Sequence, residues 1–313
     1  MTTHHATTAS TTASTTASST TTAAVVRTAG GPEAIDLVTL PAPVAGPGEV
    51  VVEVELAGVN PVDLATRSGF FHDIGVVPAG TPVGLGWEVV GTVSGTGTRV
   101  AALLPGLDRP VGGYADRVVV PGSDLAVVPD ALSSEEAATL PLNGLTAAQL
   151  VDLAGDGAGR SLLVTGAAGA VGYYVLLLAR ASGFAITGLA RQGDEELVAR
   201  TGARLVTTLE GQQRRYDVVI DTAALVDPAL DAVADGGTYL GVLPAVKPGG
   251  RPGITVDAVS VVPDGARLAD LLRRTVAGEL PARVAGVLPL ADAAEAHRAL
   301  EQGGVRGRYL LRP

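Results

Sequence analysis

The sequence predicts an α/β protein in two parts, an antiparallel, barrel-like β-region followed by a doubly wound parallel sheet. Three observations carry that prediction. Hydrophobic residues make up 47% of the 313 and charged residues only 17%, which supplies a large core and suits one large domain or two moderate ones. Short β-rich runs separated by Gly and Pro fill the first part of the chain. From Arg160 onward strands and helices alternate, as a parallel sheet with crossover helices requires.

Charge and composition narrow the function. With 22 Lys and Arg against 32 Asp and Glu the net charge is −10, and such a surface repels phosphates, so neither nucleic acid nor membrane is expected as a partner. The chain has no cysteine, which removes disulfides, iron–sulfur clusters, thiolate zinc sites and cysteine nucleophiles together. No apolar stretch is long enough for a transmembrane helix. A basic start with an apolar core and an arginine-rich leader are both missing, so the expected location is cytoplasmic.

The elements follow in order. Residues 1–23, almost entirely Thr, Ser and Ala with His4 and His5, have no large apolar side chain to offset the entropy of ordering and are expected to be a disordered tail; no metal site is expected there or elsewhere. Residues 24–27, 35–40 and 50–56 are β-rich, with Gly30-Gly31-Pro32 and Gly46-Pro47-Gly48 as breaks, and further apolar runs follow at 88–93, 99–104 and 114–121. Ser133-Ser134-Glu135-Glu136 is an N-cap with acids in the first turn, opening a helical run to Leu140, and residues 146–153 are a second helix. Strands are expected at 160–165, 184–190, 204–207, 217–221, 238–242 and 254–256, with helices at 173–182, 194–201 and 228–234 between them. The chain closes with an amphipathic helix at 266–277 carrying Leu268, Leu271 and Leu272, a helix at 291–301 and a strand at 308–311.

The first strand–helix junction of the alternating part carries the strongest chemical signal. Gly166-Ala167-Ala168-Gly169-Ala170-Val171-Gly172 joins strand to helix. Gly166 permits the tight turn, Gly169 lets backbone amides approach a pyrophosphate, and Gly172 lets the helix pack closely, with the helix N-terminus adding partial positive charge. The spacing is GxxGxxG rather than GxGxxG, but the strand before it and the helix after it are both correct. Cofactor choice is written where the second strand ends, 19 residues beyond Gly172, where an acid serves a ribose hydroxyl and a cation serves a 2′-phosphate. Arg191 stands there and argues for NADPH. Asp194-Glu195-Glu196 best fits the first turn of the next helix.

Gly58-Val59-Asn60-Pro61-Val62-Asp63, Gly86-Trp87-Glu88-Val89-Val90-Gly91, Gly112-Gly113-Tyr114-Ala115-Asp116, Leu140-Pro141-Leu142-Asn143-Gly144-Leu145-Thr146-Ala147 and the glycine turn occur in this order. Together they resemble the medium-chain dehydrogenase/reductase superfamily, in its zinc-independent quinone oxidoreductase and enoyl reductase branch. The resemblance implies a GroES-like β-barrel catalytic domain from residues 24–144 and 260–313, with a Rossmann domain, residues 145–259, inserted between. Zinc-dependent members hold their metal with a Cys near the position of Asn60 and a His beside the acid matching Glu88; here Asn60 and Trp87 stand instead, and the segment 103–113 has no cysteine for a structural zinc lobe.

The resemblance also implies an NADPH-dependent hydride transfer to a quinone or α,β-unsaturated carbonyl, and a homodimer. Asn60 is expected to meet the substrate carbonyl or the nicotinamide ribose, and Thr146 to lie beside the nicotinamide. Ala168, Ala170 and Val171 join the three turn glycines around the phosphates, with Thr222, Gly241 and Val242 at the ends of later strands. Asp63 either orients the surroundings of Asn60 or closes a turn, and Glu88 is a buried acid with a structural or a functional role. Many relatives carry a tyrosine after an Arg-Ser-Gly segment; this chain reads Arg67-Ser68-Gly69-Phe70-Phe71-His72. His72 is then the nearest side-chain proton donor, or an exposed loop histidine with solvent as the donor. Arg308, in Arg306-Gly307-Arg308, reaches a cofactor phosphate or remains a solvated strand-edge charge. His297 is expected at the surface. Two other readings stay open: a specialised biosynthetic enoyl reductase or cyclase in which NADPH is partly structural, and a redox-inactive NADPH-binding regulator.

Overall fold

The computed structural model describes residues 19–107 and 109–313. Residues 1–18, with His4 and His5, lie outside the described residues. The rest of the expected tail is not a tail: β1 runs Thr20–Val26 and pairs residue by residue with β2, Ile35–Pro41, from Thr20 opposite Pro41 to Val26 opposite Ile35. Thr21, Ala23 and Ala24 are buried, and the Thr22 amide donates to Asp116 at 2.6 Å. Counting apolar side chains missed that a β-branched run orders itself through its backbone, and that small side chains suit a crowded face.

The first part of the chain continues with β3 (Glu49–Gly58), α1 (Pro61–Ser68), α2 (Phe70–Asp73), β4 (Val83–Gly84), β5 (Glu88–Val93), β6 (Arg99–Leu103), β7 (Arg117–Pro121), β8 (Leu125–Val127) and α3 (Ser134–Ala137). α4 (Pro141–Ala154) leads into the alternating part: β9 (Ser161–Thr165), α5 (Ala170–Ala181), β10 (Ala185–Leu189), α6 (Glu195–Ala199), β11 (Arg204–Val206), β12 (Tyr216–Asp221), α7 (Asp227–Leu230), β13 (Val233–Gly241) and β14 (Thr255–Ala258). The chain ends with α8 (Gly265–Val276), β15 (Val284–Pro289), α9 (Ala293–Glu301) and β16 (Arg308–Arg312).

Three sheets result. The order β2-β1-β4 makes a small one; β15-β16-β3-β5-β6-β8, with β7 against β3, makes a seven-stranded one; and β11-β10-β9-β12-β13-β14 makes a six-stranded parallel one. The last reads 3-2-1-4-5-6 in its own strand numbering, the doubly wound arrangement whose switch point lies between β9 and β12. The seven-stranded sheet is antiparallel except where β15 and β16 run parallel. It therefore takes strands from both ends of the chain, with β16 hydrogen-bonded to β3.

α4 joins the two parts. Eleven of its fourteen residues are buried, the mark of a helix with partners on every side, and it packs against α5, α8, β5, β6 and β13. A boundary between residues 144 and 145 would divide this uninterrupted helix. α7 is shorter than the expected 228–234 because Val233 already pairs with Tyr216 as the start of β13. No helix among the described residues is long and apolar enough to cross a membrane.

Candidate active site

The glycine turn sits at the C-terminal end of β9, at the switch point. Gly166 has φ +60, and a Cβ there would lie 2.9 Å from Thr222 Oγ1; a Cβ on Gly172 would lie 2.3 Å from the Gly166 carbonyl oxygen. Both positions therefore exclude side chains on steric grounds. Gly169 caps α5 in extended conformation, leaving the first amides of that helix without carbonyl partners from the helix itself. The Thr222 hydroxyl donates to the Thr165 carbonyl at 2.6 Å and pins the turn to the end of β12. Arg283, just before β15, reaches across from the other part: its guanidinium donates to the carbonyls of Ala168 at 3.0 Å and Gly169 at 2.7 Å and lies 4.2 Å from the Tyr173 ring centroid.

Facing the turn is a buried polar cluster. Asn60 caps α1, with Pro61 in the first turn and Asp63 completing a capping box through the Asn60 amide at 2.8 Å. The Asn60 side chain is saturated. Its Nδ2 donates to Glu88 at 2.8 Å and to the Gly58 carbonyl at 3.3 Å, while its Oδ1 accepts from Arg308 at 2.7 Å and from Asn143 at 3.2 Å. Glu88 also accepts from the Leu142 amide at 2.7 Å, so it ties β5 to the start of α4. Burial pushes its carboxyl above the ordinary value, opposed chiefly by the Arg308 charge. Arg308 is no strand-edge charge: it is 4% exposed and donates to the Val59 carbonyl at 2.7 Å. Its Nε and Nη2 are buried without a hydrogen-bond partner.

Behind this cluster lies a second network. Asp63 accepts from the amides of Asn60 and Gly86 and interacts with the Tyr114 hydroxyl. Tyr114 meets His297 Nε2 at 3.3 Å, His297 Nδ1 lies 3.5 Å from Arg67, and Arg67 pairs with Glu301. His297 is fully buried rather than at the surface, because it shares the inner stripe of α9 with Ala293 and Ala296. Burial, helped by the Arg67 charge, pushes the imidazole down to about 3, so it is neutral; with Arg67 donating to Nδ1, the ring proton sits on Nε2.

The other sequence candidates occupy separate places. Thr146 is on α4 one turn beyond Asn143, its hydroxyl on the Leu142 carbonyl at 2.6 Å. Gly241 ends β13 and is buried, and Val242 packs against the main core. Arg191 is exposed beyond β10, and its amide donates to Asp194 at 3.2 Å. Asp194 in turn holds Arg306. His72 is not brought to the cluster: its Nε2 engages the Thr81 carbonyl at 3.0 Å and its buried Nδ1 has no partner.

The family described as alcohol dehydrogenase GroES-like domain matches residues 46–130, and that described as zinc-binding dehydrogenase matches residues 192–311. A probable zinc-binding oxidoreductase, mitochondrial, from Arthroderma benhamiae is 33% identical over 229 residues, 64% of this chain and 69% of its own length. This chain belongs to the medium-chain dehydrogenase/reductase superfamily. Within that superfamily it falls in the quinone oxidoreductase branch. It is 32% identical to the 2-methylene-furan-3-one reductase of Solanum lycopersicum over 243 residues, 69% of this chain but 61% of the tomato protein, and 35% identical to the quinone oxidoreductase of Mus musculus over 188 residues, 56% and 55% of the two chains. In structure, the quinone oxidoreductase from Coxiella burnetii superposes with a TM-score of 0.83 at 22% identity over 94% of this chain and 99% of the other, a likeness of fold. A mycobacterial protein complexed with NADPH gives 0.78 at 27% identity, covering 94% and 100%.

For this medium-chain dehydrogenase/reductase chain, sequence reasoning missed Asn143, Tyr114, Arg67, Arg283 and the Arg306–Asp194 pair. A signal existed for Asn143 and for the burial of His297. Asn143 is a lone amide in an apolar run three residues before Thr146, and His297 falls in register with Ala293, Ala296 and Leu300. Nothing local marks Arg283, whose role depends on how two distant segments meet.

Proposed function

We propose that this chain is an NADPH-dependent oxidoreductase that reduces quinones or α,β-unsaturated carbonyl compounds without a catalytic zinc, as a homodimer. The observation that carries the reading is the crevice between the glycine turn and the end of the chain. It has a volume of about 10 Å³ and is lined by Thr139, Ala170, Tyr174, Arg283, Gly307 and Arg308. Two guanidinium groups and the first residue of α5 converge there, and Arg308 has two buried donors unused, a setting that suits the phosphates of a dinucleotide. The space as it stands admits no more than a water, so binding requires Arg283 to leave the turn carbonyls or the two parts to separate.

The chemistry the nucleotide supplies is a hydride for a carbon that conjugation has already made electrophilic; the matching proton comes from solvent. The chain's own residues bind, orient and exclude water. Asn60 acts as a positioning residue, holding Arg308 and Glu88 in place. The donor set supports the absence of a zinc role: of the three positions matched to the metal ligands and the neighbouring acid, Asn60 Oδ1 already accepts two hydrogen bonds, Trp87 carries no ligating atom, and only Glu88 offers a carboxylate.

The test is to mix the protein with NADPH and a panel of quinones and enones and follow the nicotinamide absorbance. Oxidation of NADPH by members of the panel is expected. Tight binding with no turnover on any of them would overturn the reductase reading, and a stoichiometric zinc whose removal abolishes turnover would overturn the zinc-free part.

A further inference from the structure

Beyond β10, three residues past Arg191 and at the N-cap of α6, stands an acid, Asp194. Asp194 follows the strand closely, is 7% exposed, and could serve a ribose hydroxyl. Its oxygens are already engaged. Arg306, from the loop before β16 and 112 residues away, donates through Nε to Oδ1 at 2.7 Å and through Nη2 to Oδ2 at 2.8 Å, a bidentate pair, and the Arg191 amide takes Oδ2 as well. Pairing with Arg306 holds the carboxyl below its ordinary value, so the acid stays charged and compensated. The third nitrogen of Arg306, Nη1, reaches only its neighbour's carbonyl, at 3.3 Å. Arg306 also lies close enough to Arg283 on the glycine turn for their like charges to oppose one another.

We propose that the Arg306–Asp194 pair makes the site specific for a 2′-phosphorylated nucleotide, with Arg306 as a second 2′-phosphate ligand opposite Arg191. The inference rests on the nicotinamide-nucleotide reading above. Two effects act in the same direction. Arg306 contributes a cation from the C-terminal segment, and by occupying Asp194 it withdraws a buried acid that would favour an unphosphorylated ribose and repel a phosphate. Both vanish together when Arg306 is replaced.

The experiment titrates full-length wild type, R306Q and R306K with NADPH and NADH, and with 2′,5′-ADP and 5′-AMP, which isolate the 2′-phosphate from the nicotinamide. Wild type is expected to favour the phosphorylated member of each pair. R306Q should lower that preference about tenfold, the worth of one charge-assisted hydrogen bond, with 2′,5′-ADP affinity falling and 5′-AMP affinity unchanged or tightened as Asp194 is released, and the preference partly restored in R306K. An unchanged preference in R306Q, or an equal loss of 5′-AMP and 2′,5′-ADP, overturns this inference alone. A wild type that binds neither NADPH nor NADH overturns the parent reading and this one with it.

Discussion

Asn60 commits every hydrogen bond its amide can make to four protein partners, so its removal strands several buried groups at once. Asn60→Ala should destabilise the protein by roughly 3 kcal/mol, because Arg308, Asn143 and Glu88 each lose a buried partner; urea unfolding measures it, and a change below about 1 kcal/mol would mean water replaces the amide. Asp63 and His297 make a second prediction. Burial raises the Asp63 carboxyl from 3.8 to about 7, so between those values the native state holds a proton the unfolded state has lost, and stability falls as pH rises. His297 is lowered from 6.5 to about 3, so between those values the unfolded state holds the extra proton and stability rises with pH. The two slopes oppose each other from about pH 4 to 6.5. Relative to wild type, Asp63→Asn should therefore show a melting temperature that climbs over that range, and His297→Gln one that declines; parallel profiles for all three would refute the assignment. Asn60, Asp63, Glu88 and Arg308 were legible in the sequence as positions. Their partners were not, since the Tyr114–His297 contact joins residues 183 apart and only the packed fold brings them together.

At the level of elements, the turn before α5 makes the sharpest demand on side-chain size. Gly172→Ala would place a methyl 2.3 Å from the Gly166 carbonyl oxygen, forcing helix and turn apart at a cost of about 2 kcal/mol. Nucleotide affinity should fall while the circular dichroism spectrum stays that of the wild type. Gly249→Ala, which meets nothing within 4 Å, is the matched control and should leave both unchanged. The strands and helices of the alternating part were readable because their periodicity and breaks are local. α1 was missed although Asn60, Pro61 and Asp63 spell an N-cap, a first-turn proline and a capping-box acid, and the first half of β1, before the expected strand at 24–27, was missed because a threonine run orders through pairing with β2. α7 was overextended because the start of β13 is decided by its partner β12.

For the whole molecule, the parallel sheet ends on β14, whose outer edge has no partner strand among the described residues. An unpaired edge is a template for a second copy, and two β14 strands related by a two-fold axis would continue the sheet across a dimer. Light scattering coupled to gel filtration should give twice the chain mass; a monomer at micromolar concentration would refute it. The parallel sheet was legible from the alternation, whereas the return of the C-terminal segment to the first part of the chain rested on family resemblance, because no local pattern encodes which distant edge a strand will join.

That return has a consequence in time as well as space. The hydrogen bond from Arg308 to Asn60 closes a loop of 248 residues, and no shorter-range contact can stand in for it. Non-local closures of this length come late in folding, and during synthesis the first partner leaves the ribosome long before the second. A nascent chain thus carries its glycine turn early but holds Asn60 and Glu88 without their arginine until β16 is made. The proposed nucleotide site is complete only once β16 is made, and a chain interrupted before Arg306 should fold its parallel sheet yet lack the grip proposed for Arg306 and Arg308.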